Sequence, residues 1–168
     1  MVTRKTQRKS PPRSRRSAPK ARKTTFKLTY ATMFDPPEEL HRRFDAALAR
    51  IKSGMGKDHG MLIGGREVHA AESFDDRSPI NQDWLLGRFP KGTAEHARQA
   101  LAAARKAFPK WAGRGWKERV RLMRKAADLI DQRIYEIGSV MALEVVKNRM
   151  EALGDAAETA DLIRYACD

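Results

Sequence analysis

The chain contains a single cysteine, Cys167, among its 168 residues, so no internal disulfide can form and the fold must rest on packing and hydrogen bonds. No apolar run approaches the roughly 20 residues that a bilayer-spanning helix requires. The basic start runs into Ser, Pro and further Arg where a secretory signal would need an apolar stretch. These three absences lead us to expect a reducing compartment, the cytoplasm first and the mitochondrial matrix as the alternative.

Acids are absent from the first thirty residues, which hold eleven of the 34 Lys and Arg. The other 23 bases face all 21 acids, so the net charge of +13 sits mostly at the N-terminus and the remainder is nearly neutral. Residues 1–28 combine Lys, Arg, Ser and Pro with one aromatic, Phe26, and offer too little apolar surface to offset the entropy of ordering. They read as a disordered basic tail. Its cations suit salt-dependent contacts to nucleic-acid phosphates, although no aromatic interleaving suggests base stacking. Pro11, Pro12 and Pro19 interrupt the amphipathic helix expected of a transit peptide. A passive appendage, or upstream sequence read from a misassigned start, stands beside these readings.

Signatures of catalysis are lacking as well. His41, His59, His69 and His96 show no i, i+4 pairing, and one cysteine cannot build a structural zinc site. Neither a GxSxG elbow nor a kinase signature occurs, and Gly64-Gly65 lacks the spacing of a phosphate-binding loop. Cys167, in an alanine-rich helix without a marked basic partner, reads as a packed thiol. No residue is assigned to catalysis, metal or cofactor.

What the chain does have is helical periodicity. Trp116, Val120, Met123, Ala127, Ile130, Ile134, Ile137 and Met141 recur at steps of four and three, which places them along one side of a helix and predicts a buried face. A continuous helix here would be roughly 39 Å long, and a bend or break is expected between Arg133 and Gly138. Leu122, Ala126, Leu129 and Val140 make the stripe too wide for a coiled-coil seam and favour packing on a domain core. Pro36-Pro37 introduces an earlier helix over 38–52, which Gly54 and Gly56 stop. Met61 to Ile63 and Arg66 to Val68 read as two strands about a Gly-Gly turn, 73–83 as a polar loop, and 84–89 as a third strand. Thr93 caps a helix whose alanine-rich face should pack closely and which Pro109 should end. Asn148 caps a last helix burying Met150, Leu153, Ala157, Ala160 and Ile163. The class is α+β, mostly helical.

Several strings in this order resemble the N-terminal part of the NAD-dependent aldehyde dehydrogenases. They are Leu62-Ile63-Gly64-Gly65, then Arg77-Ser78-Pro79 leading to Leu86-Gly87-Arg88-Phe89, then Ala107-Phe108-Pro109 with Trp111. Trp116 with Glu118-Arg119, and Leu143-Glu144-Val145 with Lys147-Asn148, complete the set. The strings over 148–152 and 158–165 are similar, more narrowly, to the L-glutamate γ-semialdehyde (1-pyrroline-5-carboxylate) dehydrogenase branch. The likeness covers 29–168, and it implies an incomplete fold whose Rossmann segment, catalytic cysteine, general-base glutamate and oxyanion asparagine lie beyond Asp168. It implies NAD as cofactor of the complete enzyme, with no binding site in this chain, and oxidation of the semialdehyde to glutamate in proline catabolism. It also places Glu158 where the branch has a glutamate that approaches the amino end of the substrate. Val146 departs from the family, which has Gly before the lysine, and so puts the local turn in question. We expect a fragment or split part, inactive alone, that pairs with its absent C-terminal portion or self-associates through uncovered apolar helix faces. An interaction module, using the tail on nucleic acid or the helices on a protein partner, is the alternative.

Overall fold

The computed structural model describes residues 35–168, so the tail read at 1–28 lies outside the described residues. The element order is α1 (Glu38–Ser53), β1 (Lys57–Asp58), β2 (Met61–Ile63), β3 (Arg66–Val68), β4 (Ser73–Arg77), β5 (Leu85–Pro90), α2 (Ala94–Ala112), α3 (Trp116–Gln132), α4 (Ile134–Val145) and α5 (Arg149–Tyr165). The expected α+β, mostly helical class holds.

The hairpin is the most local of these features. β2 and β3 pair antiparallel with Ile63 opposite Arg66, and Gly64 and Gly65 both take positive φ, 60° and 80°. That backbone twist matches the strands and is open to glycine at little steric cost. The expected loop at 73–83 is corrected: its first five residues form β4, antiparallel to β5, with Phe74 opposite Phe89. Ser-Phe-Asp-Asp-Arg carries too few apolar residues to announce a strand, and the pairing comes from β5 backbone distant in sequence. β1, also unanticipated, pairs parallel with the other side of β5.

The helical core joins α1, α4 and α5. Leu40, Phe44 and Leu153 are buried together, with Leu48, Ile134, Tyr135, Ala142 and Met150 packed around them. Full burial of such a Leu or Phe contributes about 1.5–3 kcal/mol, so this cluster is the main apolar anchor of the described residues. At its edge the Arg149 guanidinium donates to His41 Nδ1 (2.7 Å) and Asp45 (2.5 Å) and lies 4.7 Å over the Phe44 ring. That contact ties the start of α5 to α1.

The long stripe breaks at Arg133, inside the expected interval, where the backbone leaves helical angles between α3 and α4. Its burial was overestimated. Of the α3 residues only Ala127 is buried, while Trp116 is 64% and Met123 41% exposed. Pro109 does not end α2 either, for the helix continues to Ala112 with the Gly113 N–H donating to the Pro109 carbonyl. A proline in the last turns removes one donor but leaves its own carbonyl free to accept. The alanine-rich face of α2 is not buried: α2 has no buried residue, and Ala103 lies beside Gly64 at the tip of the hairpin. On α5 the buried set is Ala152, Leu153, Ala156 and Ala160, with Met150, Ala157 and Ile163 only partly covered.

Candidate functional site

The turn into α5 sets the position of Glu158. Val146 ends α4 in the left-handed region, φ 58° and ψ 26°, and so occupies with a β-branched residue the conformation that glycine takes most readily. Asn148 then accepts from the N–H groups of Met150 and Glu151, both at 3.0 Å, while Glu151 accepts from the Asn148 N–H. This reciprocal box fixes the first turn of α5. Lys147 is ion-paired with Asp155, which closes the same corner from the side.

Glu158 stands one turn beyond Asp155. It is exposed and has no hydrogen bond or ion pair among the described residues. Because Ala156 and Ala160 face the core, Glu158 shares the outer side of α5 with Leu162 and Tyr165, which are 59% and 81% exposed. A carboxylate with no partner, bordered by apolar side chains, is chemically suited to an ammonium group carried on a short aliphatic chain. Leu162 and Tyr165 were not singled out from the sequence, although their spacing of four and seven from Glu158 places them on its face.

Cys167 lies half-buried where α5 approaches α3, with Sγ 3.9 Å from the Val120 carbonyl. It borders an open groove of about 490 Å³ lined by Trp111, Trp116, Met123 and Leu162. The basic group in that groove, Arg119, donates to the Ala112 and Arg114 carbonyls. It is committed to closing the α2–α3 turn. Arg164, three residues before Cys167 and likewise turned to α3, donates to Asp128 and Asp131, and these carboxylates hold its proton above the ordinary arginine range. No cluster of three or more His, Cys, Asp or Glu able to hold a metal occurs among the described residues. No described helix is long and apolar enough to cross a membrane.

The aldehyde dehydrogenase family model matches residues 67–168. This chain belongs to the aldehyde dehydrogenase family. Within it, the sequence is 33% identical over 128 residues to the 1-pyrroline-5-carboxylate dehydrogenase of Staphylococcus haemolyticus, covering 76% of this chain and 25% of that protein. It is 33% identical over 122 residues to 1-pyrroline-5-carboxylate dehydrogenase 2 of Bacillus subtilis, covering 73% and 24%. The solved 1-pyrroline-5-carboxylate dehydrogenase from Thermus with bound NAD superposes with a TM-score of 0.78 at 33% identity, over 85% of this chain and 28% of that one. The chain thus spans about a quarter of the length of the curated relatives it matches. Its α+β, mostly helical architecture is that of one portion of the aldehyde dehydrogenase fold.

Proposed function

We propose that this chain is the N-terminal portion of an NAD-dependent L-glutamate γ-semialdehyde (1-pyrroline-5-carboxylate) dehydrogenase of proline catabolism, acting in the cytoplasm and inactive by itself. The observation that carries the reading is a coincidence of two facts. The match to 1-pyrroline-5-carboxylate dehydrogenases takes in three quarters of the chain, and the same helices leave Phe108, Trp116, Met123 and Leu162 uncovered. Apolar faces of that kind are suited to a nucleotide-binding domain laid against them. In the assembled enzyme the thiolate that attacks the aldehyde, the base that activates water and the NAD site come from that domain, supplied in the same polypeptide or in trans. This portion contributes the supporting helices. Glu158 contributes the one substrate contact, its carboxylate receiving the α-amino end of the semialdehyde.

The test is complementation. The purified chain mixed with glutamate semialdehyde and NAD is expected to form no NADH and, by calorimetry, to bind no NAD. Adding the Rossmann-containing remainder of a relative is expected to restore turnover, and Glu158→Gln in that assembly to raise KM with little change in kcat. NADH formation by the chain alone would overturn the reading.

A further inference from the structure

Positive charge is concentrated in one part of the described residues. Residues 94–133, which span α2, α3 and the turn between them, hold eleven Lys or Arg and four acids, whereas 134–168 hold three and seven. The four acids are engaged: Glu95 with Arg98, Glu118 with Arg114, and Asp128 and Asp131 with Arg164 of α5. Six cations are left exposed without a carboxylate partner among the described residues: Arg105, Lys106 and Lys110 on α2, and Lys117, Arg121 and Lys125 on α3. The last three repeat at steps of four and so form a row roughly 12 Å long on one face of the helix. With Arg124 they rim a shallow depression of about 450 Å³. At the head of the row stands the exposed Trp116, with the Lys117 ammonium 5.5 Å from its ring centroid.

We propose that these exposed cations of α2 and α3 bind single-stranded nucleic acid through its phosphates. Like charges at i, i+4 weaken a helix, and an anionic partner removes that penalty. The cations are strung over two helices rather than gathered in a pocket, which fits a polymer of regularly spaced charges and not a single phosphate. The first thirty residues add eleven more cations and no acid, the composition that counterion release rewards on a nucleic-acid backbone. Trp116 offers an open ring on which a base can stack, a contact an acidic peptide does not use in the same way. Trp116 also belongs to the apolar face assigned above to a nucleotide-binding domain, so the inference concerns the chain without that domain.

Fluorescence anisotropy with labelled oligothymidylate tests it. The comparison is between the full chain and a full-chain variant carrying R105Q, K106Q, K110Q, K117Q, R121Q and K125Q. The variant is expected to bind at least tenfold more weakly. The slope of log affinity against log salt is expected to fall by about 4, since each neutralised phosphate on a single strand contributes roughly 0.7. The variant R105K/R121K should bind like the parent. If the sixfold variant loses its helical circular dichroism, K117Q/R121Q/K125Q decides in its place with a slope loss of about 2. Unchanged affinity and slope would assign binding to the tail alone and overturn the proposal. Equally effective competition by polyglutamate would overturn it in favour of an acidic polypeptide partner.

Discussion

The Ser78 hydroxyl donates to the Leu143 carbonyl at 2.5 Å, joining the segment after β4 to the last turn of α4 across 65 positions of sequence. Leu143 is in the final turn, where helix carbonyls have no partner within the helix. Ser78 is fully buried and its oxygen also accepts from the Ile80 N–H at 3.3 Å. Serine here supplies both a donor and an acceptor that no water can replace. Ser78→Ala is expected to lower stability by about 1–3 kcal/mol, the cost of leaving buried polar groups unsatisfied. Urea unfolding followed by circular dichroism measures it, and a change below a few tenths would show that the bond does not hold the two segments together.

Val146 gives a prediction of opposite sign. A left-handed conformation costs an L-residue with a Cβ about 1–2 kcal/mol, and Val146 is more than half exposed, so little packing is lost with its side chain. Val146→Gly relieves that strain while adding some entropy to the unfolded chain. The expected result is a net gain of about 0.5–1 kcal/mol, seen as a higher urea midpoint with an unchanged slope. A lower midpoint would mean that the turn is not strained.

Gly138 answers to a different constraint. A Cβ built there would sit 3.0 Å from Leu153 Cδ2, and Leu153 is buried in the core and cannot swing away. Gly138→Ala gains about 1 kcal/mol of helix propensity but forces apart the α4–α5 contact, for which overpacking costs about 1–3 kcal/mol. We expect a net loss of about 1 kcal/mol. The double variant Gly138→Ala with Leu153→Val should cost less than the sum of the two singles, and strict additivity would sink the explanation.

The uncovered faces of α2, α3 and α5 lead to a colligative prediction. With Trp116, Phe108 and Tyr165 each more than 60% exposed, the isolated chain should bind a hydrophobic dye and sediment as more than a monomer at micromolar concentration. Sedimentation velocity as a single dye-negative monomer would contradict it.

How much of this was legible depends on how local each cause is. The Gly-Gly hairpin and the caps at Thr93 and Asn148 were readable because each is set by a few adjacent residues. β4 was not, because its pairing with β5 is a backbone matter and its side chains, Phe74 apart, are polar. Helix α2 ran through Pro109 because a proline in the last turns forfeits only one bond. Gly138 lies at the end of the interval where a break was expected, but the chain turns at Arg133, and the glycine lets Leu153 close in. For the candidate site, Glu158 was placed by likeness alone; the structure adds its exposure, its lack of a partner and its neighbours Leu162 and Tyr165.

The sequence alone determined the periods, caps and turns, and with them the family, since each depends on residue types at fixed short spacings. Tertiary structure decided which apolar stripes are covered. The stripe on α3 is the more sharply drawn of the two as text, yet α5 is sandwiched between α3 and α4 while the α3 stripe remains half open. Burial is a property of what lies opposite a face, and no helix carries that information in its own residues.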